Sequence, residues 1–232
     1  MATFNLLEIW QQSYDIGRPT IYVAGTGTYP DEIPAYWDGS DELALFHLGN
    51  TEGTVQLEPN VEFSNLTLTE NTGPAIIKSY MTGTSPTFTV GVFGDPRMLK
   101  LINPAAQASL GSSRQTLVRP HTLWIAPEQL FISSVPGQPD QKVPVTYTGG
   151  VWEKNGNPFT AEEQRLFDMS VFCWKVRFDP FMPKYAHEEG GKSLTEITGT
   201  LMHDVTKPEG HMQCTLGAEL AGSGIELGGE SS

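Results

Sequence analysis

Alternation of apolar with small or polar residues is clearest in the segment Thr87-Phe-Thr-Val-Gly-Val-Phe93. In a strand, side chains two residues apart lie on the same face, so this segment would bury one row made of Phe88, Val90 and Val92. The pattern predicts the clearest β-strand of the chain, and the other predicted elements are arranged around it.

A short helix is predicted directly after that strand. Asp95 can accept hydrogen bonds from the free N–H groups of a first helical turn, and Pro96 suits the first helical position because its missing N–H has no partner there. Apolar residues then face away from Arg97 and Lys100; they are Met98, Leu99, Leu101 and Ile102. Asn103-Pro104 repeats the start signal, which predicts a second short helical segment that ends at Gly111.

The region before the central strand predicts a sheet of successive strands. Residues 43–49 form one predicted strand, and the following Gly49-Asn-Thr-Glu-Gly53 has the composition of a turn. Apolar residues change phase within 61–68, which predicts a β-bulge near Ser64-Asn65. With a further strand over 75–81, the segment from Leu43 to Phe93 is predicted to be an antiparallel meander of four strands joined by short turns.

Shorter patterns predict further elements on either side of the meander. They are a strand at Ile21–Ala24, a hairpin over 145–152, a capping box at Thr160-Ala-Glu-Glu163 that begins a short helix, and strands over 172–178, 194–202 and 212–216. In the strand over 172–178, one face would carry Phe172, Trp174, Val176 and Phe178. The last two strands would flank a turn at 207–210, and Arg119-Pro120 argues against a central strand position nearby.

These elements predict a mainly β fold, an antiparallel β-sandwich or barrel with one short flanking α-helix and long loops. One domain would cover residues 1–216, with 113–165 as a candidate insertion or set of extended loops, and 217–232 would form a flexible C-terminal tail. The chain of 232 residues is long enough for a substantial core. Its two cysteines, Cys173 and Cys214, are expected to be buried free thiols, although the sequence leaves open whether they pair.

Charge is distributed unevenly along the chain. Its net value is −13, and residues 1–70 carry eleven acidic side chains against the single base Arg18. Such a segment repels a phosphate backbone, which argues against ordinary binding of DNA or RNA. The sequence also contains no apolar run of 18 residues and no basic, apolar leader, so we expect a protein without a membrane partner that stays in the cytoplasm where it is made.

Motifs for catalysis, cofactors and metals are weak. The segment 186–193 matches a permissive phosphate-loop pattern, but Glu188 and Glu189 would repel a phosphate, so a solvated turn is the preferred interpretation. Side chains suited to zinc occur close together at the end of the chain; they are His203, Asp204, His211 and Cys214. Two of these bracket a predicted hairpin turn and lack ligand spacing. We therefore expect no enzyme, no cofactor and no metal site.

Three stretches of the chain together carry a family resemblance. They are Phe46–Phe93 with its Leu48-Gly-Asn-Thr-Glu-Gly53 segment, the helix Asp95-Pro-Arg-Met-Leu-Lys-Leu101 after the clearest strand, and the ending from Leu194 to Leu216 with its Pro-Glu-Gly turn. In this order the chain resembles the major tail (tail tube) proteins of long-tailed, non-contractile bacteriophages. This family shares a pattern of elements and no catalytic signature.

The resemblance implies a structural protein of the virion tail, assembled in the host bacterial cytoplasm. Six copies would close into a ring, rings would stack into a tube, and DNA would pass through the lumen without specific binding. Partners would be further copies of the chain and the tape-measure, terminator and tail-tip proteins. Candidate lumen residues are Asp31, Glu32, Asp38, Asp41, Glu42, Glu52, Glu58 and Glu62.

The N-terminal segment has apolar residues at helical spacing, Leu6, Ile9 and Trp10. It would either pack on its own domain or act as an arm that docks on a neighbouring subunit. Two other functions stay open: a capsid decoration or tail-tip β-sandwich protein, and a carbohydrate-binding β-module. The last would need exposed aromatics in one groove, such as Trp37, Trp124 or Trp152, whereas core packing with a satisfied indole N–H is their ordinary role.

Overall fold

Antiparallel strands dominate the part of the chain that the computed structural model describes, namely residues 19–25, 43–70, 73–93, 96–105, 120–133, 139–148, 150–182, 194–208 and 213–220. The strands are β1 Pro19–Gly25, β2 Ala44–Glu58, β3 Val61–Glu70, β4 Gly73–Thr84, β5 Thr87–Phe93, β6 His121–Pro127, β7 Ile132–Ser133, β8 Gln141–Lys142, β9 Val145–Thr148, β10 Val151–Lys154, β11 Asn157–Pro158, β12 Val171–Phe178, β13 Thr195–Met202 and β14 Cys214–Leu216. The helices are α1 Pro96–Ile102, α2 Ala161–Asp168 and α3 Gly217–Leu220, with a 3-10 turn at Glu128–Phe131.

Six of these strands close into a barrel. Their order is β1, β2, β5, β13, β12 and β6, and β6 pairs back with β1. Every pairing is antiparallel. The prediction of a mainly β, antiparallel sandwich or barrel with a short helix after the clearest strand is therefore confirmed.

Apolar side chains from all six strands fill the barrel interior. In β5 the predicted alternation holds, since Phe88, Val90 and Val92 are buried and the residues between them are half-exposed. Helix α1 begins at Pro96 as predicted and contributes Leu99 and Ile102 to the same interior cluster. The barrel is thus a packed core, as expected for a small number of strands.

The predicted turn at Gly49–Gly53 is wrong, because β2 runs through it as one strand of 15 residues. Gly49 has φ of 138°, and the pairing of β2 with β1 is irregular at this point. Phe46 and Leu48 face the interior before it, whereas Leu57 does so after it, so the phase has changed. Glycine and polar residues here form a bulge and not a reversal of the chain.

The predicted four-strand meander is also wrong. β2 pairs directly with β5, and β3 pairs with β4 in a separate two-stranded ribbon. Irregularities in the β3–β4 register lie between Glu62 and Phe63 and between Leu66 and Thr67, on either side of the bulge predicted near Ser64-Asn65.

Residues within the candidate insertion 113–165 contribute to the barrel and to the elements that pack on its outer face. β6 is a central strand between β1 and β12, buried along its whole length. The hairpin predicted over 145–152 is present as β9 and β10, which continue into β11. The predicted capping box is present as well: Thr160 Oγ1 accepts from Glu163 N at 3.3 Å, and Thr160 N donates to Glu163 Oε2 at 2.9 Å.

β12 does not have the single face that its alternation predicted. Its pairing with β6 shifts between Cys173 and Val176, so the strand contains a bulge. Phe172 and Trp174 therefore lie outside the barrel, while Val176 and Phe178 lie inside with Cys173. A one-residue slip in a strand moves all later side chains to the opposite face.

The last two strands do not form a hairpin. β13 and β14 both pair with β12 along the same edge, so the chain leaves that edge after Met202 and returns to it at Cys214. The first four residues of the predicted C-terminal tail form α3, where a Cβ on Gly217 would lie only 1.9 Å from Phe167 O. The rest of that tail lies outside the described residues.

Candidate assembly surface

The strands β2 and β5 continue out of the barrel as β3 and β4, which form the β3–β4 ribbon. Pairing passes from Glu58–Thr87 to Val61–Thr84 across a short interruption. Two hydrogen bonds bridge that interruption: Ser85 N donates to Asn60 O at 2.9 Å, and Asn60 Nδ2 donates to Thr87 Oγ1 at 3.2 Å. The ribbon is therefore connected to the barrel wall by nearly unbroken pairing.

Neither outer edge of the β3–β4 ribbon pairs with another strand among the described residues. β3 has ten residues and β4 has twelve, and each pairs only with the other among the strands that the structure describes. Each strand of an antiparallel pair directs part of its N–H and C=O groups away from its partner. Such edges are a template on which a further strand can pair.

An acidic row lies on the outer face of the barrel and ribbon. Glu52, Glu58 and Glu62 are exposed, and they are the three candidate lumen residues within the described part of the chain. The other five, Asp31, Glu32, Asp38, Asp41 and Glu42, lie outside it, as do the arm candidates Leu6, Ile9 and Trp10. The structure thus places part of the predicted acidic set on one surface.

A shallow groove of about 250 Å³ crosses this face over Gly91. Gly91 pairs with Glu52 on one side and with Glu196 on the other, so the two carboxylates flank a position that has no side chain. Polar residues Gln56 and Thr89 and the side chain of Leu194 complete the groove. The sequence analysis missed Glu196, although it holds an outward position in the alternation of β13.

The opposite outer face of the barrel, over β1, β6 and β12, is covered by an aromatic cluster. Trp124 is fully buried there, stacked on Phe172 with 5.2 Å between ring centroids, and it contacts Trp152 at the same distance. Helix α2 adds Phe167, whose ring centroid lies 4.7 Å from that of Trp152. Two of the three tryptophans that a sugar-binding groove would need are therefore committed to packing, and Trp37 lies outside the described residues.

The indole groups of this cluster are satisfied unequally. Trp174 Nε1 donates to Thr215 Oγ1 at 2.8 Å, as expected for a buried tryptophan. Trp124 Nε1 is buried and has no hydrogen-bond partner among the described residues. The expectation of a satisfied indole N–H is therefore wrong for Trp124, which lies among aromatic rings.

A half-buried histidine marks the border between the two faces. Thr20 Oγ1 lies 3.0 Å from His47 Nε2, and the ring of Tyr22 packs 5.2 Å from the imidazole. Burial lowers the pKa of His47 to about 4, with a smaller contribution in the same direction from the charge of nearby Lys142. Burial raises the pKa of Tyr22 to about 12, with a smaller contribution in the same direction from the charge of Glu128. Both groups are thus neutral at pH 7, and the Thr20 hydroxyl is too buried to meet a substrate.

The three described side chains suited to zinc do not form a metal site. Asp204 is fully buried and accepts from Lys175 Nζ at 2.8 Å and from Thr206 Oγ1 at 2.8 Å, while His203 is exposed and Cys214 faces the barrel interior. His211 lies outside the described residues, among which no group of three His, Cys, Asp or Glu could hold a metal ion. The phosphate-loop pattern at 186–193 is also outside them.

Comparison of the chain with protein-family models and with curated proteins gives no match. The helices α1, α2 and α3 have seven, eight and four residues, and none within the described ranges could cross a bilayer. Two features of the described surface could contact another molecule. One is the pair of ribbon edges that no other described strand pairs with, and the other is the barrel face that carries carboxylates.

Proposed function

We propose that this chain is a non-enzymatic structural subunit of the tail tube of a long-tailed, non-contractile bacteriophage. Copies would close into rings, six per ring by the family resemblance, and the rings would stack into a tube whose lumen conducts DNA. The observation that carries the proposal is the β3–β4 ribbon, which no other described strand pairs with and whose pairing continues into the barrel wall.

The ribbon favours assembly because it gains little by itself. A two-stranded ribbon alone is marginally stable in water, and at least one more strand or a packing partner is needed for independent stability. A neighbouring copy can provide that strand by pairing along the open edge. If the contact is head-to-tail it generates either a closed ring or an open filament from identical subunits.

The acidic face suits a passage for DNA. Glu52, Glu58, Glu62 and Glu196 place carboxylates on the outer side of β2, β3 and β13. DNA is retained when lysine and arginine displace its counterions, so a carboxylate wall repels the backbone and allows it to slide. At physiological ionic strength this repulsion extends over roughly 8 Å, so it would keep DNA away from the wall of the lumen.

Negative-stain microscopy of the purified protein over a concentration series, with particle sizes from light scattering, tests the proposal. Hollow tubes or rings are the expected result. A uniform monomer or trimer that never polymerises, even when concentrated or seeded, would contradict it and favour a capsid decoration, tail-tip or carbohydrate-binding protein.

A shortened variant tests whether the ribbon is the assembling element. Glu62 and Gly83 are direct partners, and the bond from Ser85 N to Asn60 O makes theirs a hydrogen-bonded pair, so replacing residues 63–82 by Asn-Gly joins them through a two-residue hairpin loop and keeps β2 paired with β5. We expect a folded barrel, checked by circular dichroism, that forms no tubes. The control is Ser64→Ala, an exposed change on the intact ribbon that should still assemble. Tubes formed by the shortened variant would show that another element assembles them.

A further inference from the structure

Cys173 and Cys214 are direct cross-strand partners inside the barrel. They are opposite each other in the antiparallel pairing of β12 with β14, both are free thiols, and both belong to the interior cluster. Their 41-residue separation in sequence concealed this proximity. The structure therefore places the only two thiols of the chain face to face.

The hydrogen bonds of the ladder show which kind of pair this is. Gly217 N donates to Ser170 O at 2.9 Å, and Trp174 N donates to Gln213 O at 3.1 Å. Hydrogen-bonded and non-hydrogen-bonded pairs alternate along an antiparallel ladder, so Cys173 and Cys214, next to the second bond, form a non-hydrogen-bonded pair. Cα atoms of such pairs are about 4.5 Å apart and their side chains approach closely, within the range that a disulfide spans.

We propose that Cys173 and Cys214 form a covalent modification site, which a low-molecular-weight disulfide closes into a cross-strand disulfide. One thiol loses its proton, and its sulfur attacks the small disulfide, releasing one small thiol and leaving a mixed disulfide. The second thiol then loses its proton, and its sulfur attacks the first cysteine Sγ, releasing the second small thiol. Two protein thiols are thereby oxidised and one small disulfide is reduced to two thiols.

Strand β14 controls access to this site. It has three residues, lies at the end of the sheet order and pairs only with β12 among the described strands. Burial raises the pKa of both thiols, to about 12 for Cys214, so neither provides much thiolate while the strand is in place. Reaction therefore begins when β14 separates from β12, and the disulfide closes as the strand returns.

The setting of the reaction, though not its chemistry, rests on the proposed function. A reducing cytoplasm keeps such thiols reduced during assembly, and the medium outside a lysed cell does not. The disulfide would then fix β14 and α3 to the barrel after release of the particle.

The test holds the folded protein in excess oxidised glutathione, then denatures it and alkylates the remaining thiols before mass spectrometry. The expected wild-type product is about 2 Da lighter, carries no alkyl group and gives a 173–214 cross-linked peptide. Its unfolding equilibrium constant should fall by roughly two to three powers of ten, and a reductant should reverse the change. Cys173→Ala and Cys214→Ala are the matched controls, each keeping one thiol that ends alkylated or glutathionylated.

Two results would overturn the inference, and neither needs a variant to fold. One is wild-type protein that still takes up two alkyl groups, or two glutathiones, after prolonged exposure. The other is a disulfide that forms only in denaturant and yields a chain without its native β-sheet spectrum. The mass is measured equally on tubes and on single subunits, so this result and that of the assembly test are independent.

Discussion

The barrel has two outer faces that differ in what lies on them. Over β6 and β12, Trp124 and Phe172 are buried beneath α2 and the sheet of β9, β10 and β11. Over β2 and β5, the outward positions carry Glu52, Gln56, Thr89 and Gly91, and a groove remains open. Among the described residues, one face of the barrel is thus covered by other elements of the chain, whereas the other face carries an open groove.

The comparison shows how a strand's sequence depends on both of its faces. β5, covered on the interior side alone, alternates between buried and half-exposed residues. β6, covered on both sides, is buried at every position and shows no alternation. Two-sided burial is usual for central strands packed between layers, and it removes the pattern by which strands are recognised.

The largest effect should come from emptying the covered face. Trp124→Ala removes a fully buried indole from the aromatic cluster and should cost about 3–5 kcal/mol of unfolding free energy. The matched change on the open face, Thr89→Ala, should cost less than about 1 kcal/mol. Urea denaturation followed by fluorescence or circular dichroism measures both, and similar costs would mean that the two faces do not differ as described.

A second pair of variants lies on β12, where the two faces meet. Lys175→Met leaves the fully buried Asp204 without its cation and should cost about 2–3 kcal/mol, below the usual range because Lys175 is itself 24% exposed. Arg177→Met breaks a longer, exposed pair with Asp179 and should cost less than about 0.5 kcal/mol. Equal destabilisation of the two variants in urea would argue against a structural role for the buried pair.

The border histidine gives a smaller, pH-dependent effect. The pKa of His47 is about 4 in the folded chain and 6.5 in an unfolded one. As the pH falls, the unfolded state therefore takes up this proton at a higher pH than the folded state does. Its contribution to stability is complete above pH 6.5 and is lost as the pH falls toward 4. His47→Gln should flatten this part of the stability profile, whereas exposed His203→Gln should retain it. An unchanged profile in His47→Gln would exclude His47 as its source.

The smallest change in stability is expected on the acidic face. Combined Glu52→Lys and Glu58→Lys should alter unfolding free energy by less than about 0.5 kcal/mol per site, because both side chains are exposed. In assembled tubes, however, these lysines should retain DNA that nuclease cannot reach, with a salt slope steeper by roughly 0.9 per phosphate neutralised. Lysines at exposed Asp140 and Glu162 are the control, and equal protection by both variants would refute a luminal position for the acidic row.

Periodicity predicted the elements whose two faces have different surroundings. Alternation predicted the strand Thr87–Phe93, while helix-start residues predicted the helix from Pro96 and the capping box at Thr160. β6 was not predicted, since two-sided burial hides its alternation, Pro120 directly precedes it and Pro127 is its last residue. The bulges at Gly49 and after Cys173 were missed. Each moves the interior-facing side chains from one set of alternate residues to the other, and so interrupts the regular alternation by which a strand is recognised.

Long-range pairing limited the prediction of the candidate site. Glu52, Glu58 and Glu62 could be selected from the charge of the first 70 residues. Glu196 could not, because it reaches their face only through the pairing of β13 with β5. For the same reason Cys173 and Cys214 remained undecided, since sequence gives no register between β12 and β14.

Continuity between ribbon and barrel also has a mechanical consequence. The strands run without reversal from the barrel to the ribbon tip at Glu70–Gly73. A pull on one strand along its axis would load its hydrogen-bond rungs in shear, so that many of them resist together and do not open one after another. Tension applied to the tip would thus pass directly into the barrel wall.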